Sequence, residues 1–213
     1  MACRLIFVRH GQSLGNKVRS FLGHTNLDLS ELGYAQAELT GKYLKERKID
    51  AIYSSDLIRA YRTSLPLAKY KNIVPQKREN LREIFAGEWE NQLFDFLTEN
   101  RKESYEIWRE NIGFAVPDGG ESVWDLRNRI VSEITSIAQE NDGKTVAVFT
   151  HATPIRTFFS FVRGMSRDQI KNIPWATNAS ISEVHYENGV FTEICYSFDE
   201  FLGEISSTLP KNV

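Results

Sequence analysis

Arg4-Leu5-Ile6-Phe7-Val8-Arg9-His10-Gly11-Gln12-Ser13 is an apolar run that ends abruptly on a cation, an imidazole and a glycine. Large apolar residues in unbroken succession mark a strand covered on both faces, and such strands belong to parallel sheets packed between helices. The chain beyond it keeps the same rhythm. Leu32, Ala35, Leu39 and Tyr43 recur at helical spacing behind Ser30, which predicts a helix to about residue 47. Ala51-Ile52-Tyr53-Ser54 predicts a second strand and residues 57–68 a second helix. Residues 145–150 predict another buried strand, with Thr153-Pro154 opening the following helix and proline at its first position. Ser122 caps an amphipathic helix that reaches about residue 140. Asn188-Gly189 separates the runs 179–186 and 190–196 and is a strong hairpin signal. The expected fold is three-layer α/β/α, with a mainly parallel central sheet that turns antiparallel at the C-terminal hairpin.

Between Leu81 and Asp118 the periodicity weakens and aromatics accumulate, before Pro117-Asp118-Gly119-Gly120 closes the stretch as a turn. Short helices near 93–99 and 104–111 are expected there. The reading is a single domain over 1–213 with a small helical, aromatic cap excursion at 84–118, above the carboxyl edge of the sheet. A length of 213 residues, 41% apolar and 25% charged, suits one substantial core. A formal charge of −2 argues against nucleic acid or an acidic membrane as partner, so attraction for an anion must be local. No apolar stretch is long enough to span a bilayer and residues 1–8 are too short for a secretory leader, so a cytoplasmic protein is expected. Cys3 and Cys195 are too few for a zinc site or a disulfide framework and read as reduced packing residues. The terminal hairpin offers an edge for pairing with a second copy, a homodimer.

Parallel strands point their carboxyl ends the same way, and ligands bind in the loops there. Four chemistry-bearing pieces then share one edge: Arg9-His10-Gly11, the turn and helix start at 54–62, Leu81-Arg82-Glu83, and Thr150-His151. A guanidinium presents a planar fork of donors suited to phosphate. Read singly, each piece has an ordinary alternative: Arg59 as a solvated helix-face cation, Glu83 as a surface carboxylate paired with Arg78 or Arg82, and each histidine as a satisfied turn residue. His24 reads as an exposed turn residue and His185 as structural. Asn178 is placed at the pocket border; the aromatic stretch reads first as core, with Trp89 and Phe94 its candidates for lining the pocket mouth.

The ordered set Arg9-His10-Gly11-Gln12-Ser13 with Asn16, Ser54-Ser55-Asp56-Leu57-Ile58-Arg59-Ala60 with Thr63, Leu81-Arg82-Glu83-Ile84 with Gly87, Trp89 and Glu90, Gly119-Gly120-Glu121-Ser122, and Thr150-His151 closely resembles the histidine phosphatase superfamily in its phosphoglycerate mutase-like branch. The resemblance covers about residues 4–196. It implies that His10 attacks phosphorus and becomes phosphohistidine, that Arg9, Arg59 and His151 hold the phosphoryl oxygens with Asn16 assisting, and that Glu83 protonates the leaving oxygen. It implies a small phosphate ester as the partner, with no metal and no cofactor. The roles are physically coherent. A transferring phosphoryl group spreads charge over its equatorial oxygens, so fixed positive donors and positioning carry the catalysis. The imidazole must attack neutral, with its other nitrogen held by a partner such as a backbone carbonyl. Like-charge repulsion from a dianion favours a protonated carboxyl beside it, which predicts a mildly acidic optimum.

Two departures bear on which member of the family this is. Trp108-Arg109 is followed by Glu110 where a mutase carries a second arginine, and Ala86 stands where a tyrosine is expected before Gly87. The thinned basic equipment favours a phosphatase over a phosphoglycerate-type mutase, and a non-catalytic phospho-ligand binding protein is the remaining alternative. Ala152 follows His151 where many members have glycine, which questions how closely that backbone amide approaches phosphate.

Overall fold

The computed structural model describes residues 1–207, and residues 208–213 of the expected domain lie outside them. The central sheet contains β1 (Cys3–Arg9), β3 (Ala51–Ser54), β4 (Gln76–Lys77), β6 (Thr145–Thr150), β7 (Ile181–Glu187) and β8 (Val190–Phe198). Its strand order is β4-β3-β6-β1-β7-β8. The first four run parallel, while β7 pairs antiparallel with both β1 and β8. A separate two-stranded ribbon joins β2 (Ser20–Phe21) to β5 (Gln92–Leu93). The helices are α1 (Leu14–Val18), α2 (Glu31–Leu44), α3 (Ile58–Lys71), α4 (Phe94–Asn100), α5 (Lys102–Glu110), α6 (Val123–Glu140) and α7 (Ala152–Val162).

Successive residues of a strand face opposite sides, so an unbroken apolar strand feeds two cores at once. Leu5, Phe7, Val146 and Val148 pack with Ile130 and Ile134 of α6 and Phe158 and Phe159 of α7. Ile6, Val8, Ile52, Ala147 and Phe149 pack instead with Leu44 of α2 and Leu67 of α3. This is the three-layer arrangement expected from the periodicity. Because β1 and β6 are neighbours, with Arg9 opposite Thr150, but are followed by helices on opposite faces, the chain parts between their carboxyl ends. A crevice opens at that switch point.

Local details differ from the periodicity reading in two places. Helix α7 begins at Ala152, so Pro154 is its third residue rather than its first. A third-position proline is still tolerated, because the N–H it lacks would have had no acceptor within the helix. The short strands β2, β4 and β5 and helix α1 carry no periodicity signal at all. At the hairpin, Asn188 and Gly189 have φ of 53° and 82°, the pair of positive values that a type I′ turn requires. Among the described residues no helix is long and apolar enough to cross a membrane.

Candidate active site

One cavity, with about 590 Å³ of empty space including its open mouth, lies at the carboxyl edge of the sheet and is lined in part by Arg9, His10, Asn16, Arg59, Glu83 and Ala152. His10 follows β1 directly, and its amide extends the ladder by one bond, donating to the Thr150 carbonyl at 3.0 Å. Its Nδ1 lies 2.7 Å from the carbonyl of Gly11. A carbonyl only accepts, so Nδ1 carries the ring proton and Nε2 keeps its lone pair. Gly11 is required for space rather than for a left-handed turn: a Cβ there would lie 2.4 Å from the Gly33 carbonyl oxygen. The His10 carbonyl is held by Asn178 Nδ2 at 3.0 Å and by the Ala179 amide at 3.2 Å. Ala179 has φ of 60°, a left-handed conformation unfavourable for alanine, which these bonds sustain.

Two guanidiniums reach the cavity from opposite sides. Arg9, 6% exposed, donates through Nη1 to the Ala176 carbonyl. Arg59, in the first turn of α3 and 1% exposed, donates to the carbonyls of Thr25 at 2.9 Å and Gly23 at 2.7 Å. Burial lowers both side chains to a pKa of about 10, which leaves them charged at neutral pH. Neither has a carboxylate salt-bridge partner among the described residues, and in each the Nε is buried and unpaired. His151, the N-cap of α7, sits behind His10 with ring centroids 5.1 Å apart. Its Nε2 is 2.9 Å from Ser55 Oγ, while Nδ1 is buried and unpaired. Leaving a buried donor or acceptor unmatched costs about 1–3 kcal/mol, so these three nitrogens are held at a cost to the fold.

Asn16 closes the capping box of α1, accepting from the Ser13 amide at 3.1 Å and from Asn178 Nδ2 at 3.3 Å. With Oδ1 so occupied, its own Nδ2 protons are what it has to give. The Glu83 carboxylate accepts from the amides of Ile84 at 2.8 Å and Thr153 at 3.3 Å. It is not neutralised by its neighbours in sequence: Arg82 pairs with Asp56, and Arg78 with Glu140 and Glu133. Ala152 is the first residue of α7 and lines the cavity with no positive φ, so alanine is accommodated there without strain.

Other residues shape the site from further away in the sequence. The carboxylate of Glu90 accepts from the amides of His24 at 2.7 Å, Thr25 at 2.6 Å and Ala86 at 3.1 Å. It thereby shapes the turn whose carbonyls hold Arg59. Gly23, at φ 49°, fits that turn because a Cβ would lie 2.2 Å from Glu90 Oε1. His24 is not the exposed turn residue its sequence suggests; its Nε2 is 2.9 Å from the Glu83 carbonyl oxygen. Trp89 is fully buried beneath Phe21, Tyr105 and Trp108, away from the mouth, whereas Phe94 does line the cavity. Phe21, Trp108 and Trp175 line it too, brought in from a ribbon, a helix and a loop.

Burial, followed by the charges of Arg59 and Arg9, holds His10 well below the ordinary histidine pKa. Burial, Arg59 and then His10 do the same to His151. Both rings are therefore neutral at pH 7. The unfolded chain takes up these two protons as pH falls through about 6.5 and the native state does not, so stability present above that pH is lost below it. Thermal melts are expected to show the midpoint falling between pH 7 and 5.5, with a shallower slope in His151→Asn. Parallel slopes in the two proteins would contradict this account.

A family model described as the histidine phosphatase superfamily (branch 1) matches residues 5–197. Phosphoserine phosphatase 1 of Hydrogenobacter thermophilus is 33% identical over 184 residues, covering 86% of this chain and 87% of that protein. The solved structure of Bacillus stearothermophilus YhfR superposes with a TM-score of 0.90 at 24% identity, over 94% of this chain and 99% of that one. A mycobacterial glucosyl-3-phosphoglycerate phosphatase superposes with a TM-score of 0.85 at 25% identity, over 93% of this chain and 100% of that one.

Proposed function

The chain belongs to branch 1 of the histidine phosphatase superfamily, and on that premise we propose that it hydrolyses small organic phosphate monoesters without a metal, through a phosphohistidine on His10. As a phosphatase it has to attack phosphorus, stabilise the transferring group and protonate the departing oxygen. His10 Nε2 forms the bond to phosphorus while the bond from phosphorus to the ester oxygen breaks. Glu83 gives its proton to that oxygen, then takes one from the water that attacks the phosphohistidine, which releases phosphate and restores both groups. Arg9, Arg59, His151 and Asn16 hold the equatorial oxygens through both steps, with the amide of Ala152 at the start of α7 beside them. His151 is neutral in the free protein, and an arriving dianion supplies the countercharge that lets it take up a proton. Residues 84–118 belong to the same single domain and form a wall of the substrate cavity.

The observation that carries this reading is an imidazole, His10, whose Nδ1 is tied to the Gly11 carbonyl and which lines one cavity together with the guanidiniums of Arg9 and Arg59 and the carboxylate of Glu83. A binding protein needs the cations but has no use for a carboxylate across the cavity or for an imidazole locked in one tautomer. The direct test is rapid quenching during turnover of a monoester in the presence of a chelator. The expected result is a phosphoryl adduct on His10 that is stable in alkali and lost in acid. Turnover with no adduct at His10 under any quench would sink the covalent route.

A further inference from the structure

The half of the cavity away from the phosphoryl cradle is built almost entirely of rings. Phe21 of β2, Phe94 of α4, Trp108 of α5 and Trp175 from the loop before β7 line it, with Leu22 beside them. The rings brace one another: Phe21 and Trp108 meet edge to face at 4.9 Å, Phe21 and Phe94 at 6.2 Å, and Trp108 stacks on Trp175 at 6.0 Å. Trp175 is further fixed by the Arg156 guanidinium, 4.2 Å from its ring centroid, and by a loop tied down at both sides, at the Pro174 carbonyl by Tyr196 and at the Ala176 carbonyl by Arg9. Trp108 is 4% exposed, and its indole Nε1 is a buried donor without a partner.

The charge inventory is as informative as the rings. Among the described residues, the charged side chains that line the cavity are Arg9, Arg59 and Glu83, and the proposed chemistry uses all three on the phosphoryl group and its proton. A substrate with a second anion, such as a carboxylate or another phosphate, would have to bury it unpaired against aromatic carbon. A flat uncharged ring meets the opposite reception, packing against rings already held in place.

Resting on the phosphatase reading above, we propose that the leaving alcohol of the preferred substrate carries no second anion and bears an aromatic or flat conjugated ring. Phe21, Phe94, Trp108 and Trp175 are then the specificity-determining residues of the site. The test compares benzyl phosphate with O-phosphoserine and 3-phosphoglycerate, all esters of unactivated primary alcohols, so that their ratio reports recognition rather than leaving-group acidity. The wild-type protein is expected to show kcat/KM for benzyl phosphate at least about tenfold above either charged ester. Phe94 is only partly buried, and Phe94→Arg places a cation in the wall without opening the core. This variant is expected to lose about tenfold on benzyl phosphate and to gain on O-phosphoserine. Wild-type preference for a charged ester, with the His10 adduct still formed, overturns the ring-slot proposal alone. No turnover of any ester and no adduct takes down the phosphatase reading with it.

Discussion

His10→Ala is expected to reduce phosphate release from every monoester by at least about a thousandfold, because the variant removes the nucleophile and leaves only the cradle that binds its target. The size of the effect follows from the geometry around the ring. Among the described residues the other hydroxyl side chains lining the cavity are Ser20, whose Oγ donates to the Gly15 carbonyl, and Thr153, both weak nucleophiles as alcohols; Ser55 is paired with His151, and Thr63 accepts from the Gly11 amide and donates to the Arg59 carbonyl. Water entering the space left by the imidazole would attack without a base in position. The arginines should still bind inorganic phosphate, so product binding by calorimetry separates a lost nucleophile from a lost fold. The His10 adduct must vanish in the same variant. Phosphate release persisting within tenfold of wild type, in a folded variant, would rule out the covalent mechanism.

Glu83→Gln is expected to lower kcat for alkyl phosphates by about 10²- to 10⁴-fold, the range by which a positioned general acid contributes. Glutamine keeps the shape and, with one oxygen in place of two, can still accept from the Ile84 amide while giving up the longer bond from Thr153, so the variant changes the proton inventory at nearly constant volume. The informative control is 4-nitrophenyl phosphate, whose phenolate leaves without a proton. Its formation of the phosphoenzyme should be spared while that of an alkyl ester is not, and the fall in rate with rising pH should flatten for the alkyl ester. Burial and the two arginines keep the His10 pKa well down, so the nucleophile stays neutral in mildly acidic buffer and its protonation does not shape the profile there. Equal losses in phosphoenzyme formation for both esters would show that Glu83 positions substrate rather than donating a proton.

How much of this was legible depends on where each signal resides. The strands β1, β3 and β6 announced themselves because both faces of each are apolar, and α2 and α6 because a serine cap precedes an apolar stripe. The ribbon of β2 and β5 was not readable, since two-residue strands exist only where Ser20 and Phe21 find Leu93 and Gln92 across the fold. The constraint on Gly11 comes from the Gly33 carbonyl packed against it from α2, a contact between distant stretches of chain. His24 was misjudged for a related reason, as its partner, the Glu83 carbonyl, comes from a distant stretch of chain, while Trp89 lies in the core that is the first reading of the aromatic stretch.

The reactive groups themselves, His10, Arg59, Glu83 and His151, could be nominated from the chain because their chemistry is intrinsic to the side chain and parallel strands deliver their carboxyl ends to one edge. What holds those groups could not. The Glu90 turn beneath Arg59, the Gly11 carbonyl on His10 Nδ1 and the depressed pKa of both histidines arise from burial and from partners far apart in sequence. The aromatic wall is the sharpest case. Phe21, Trp108 and Trp175 are ordinary core residues when read in order, and they join Phe94 in one wall only because folding brings all four to the same cavity. Side-chain type set the chemistry to be performed, and packing decided on which molecules the site is shaped to perform it.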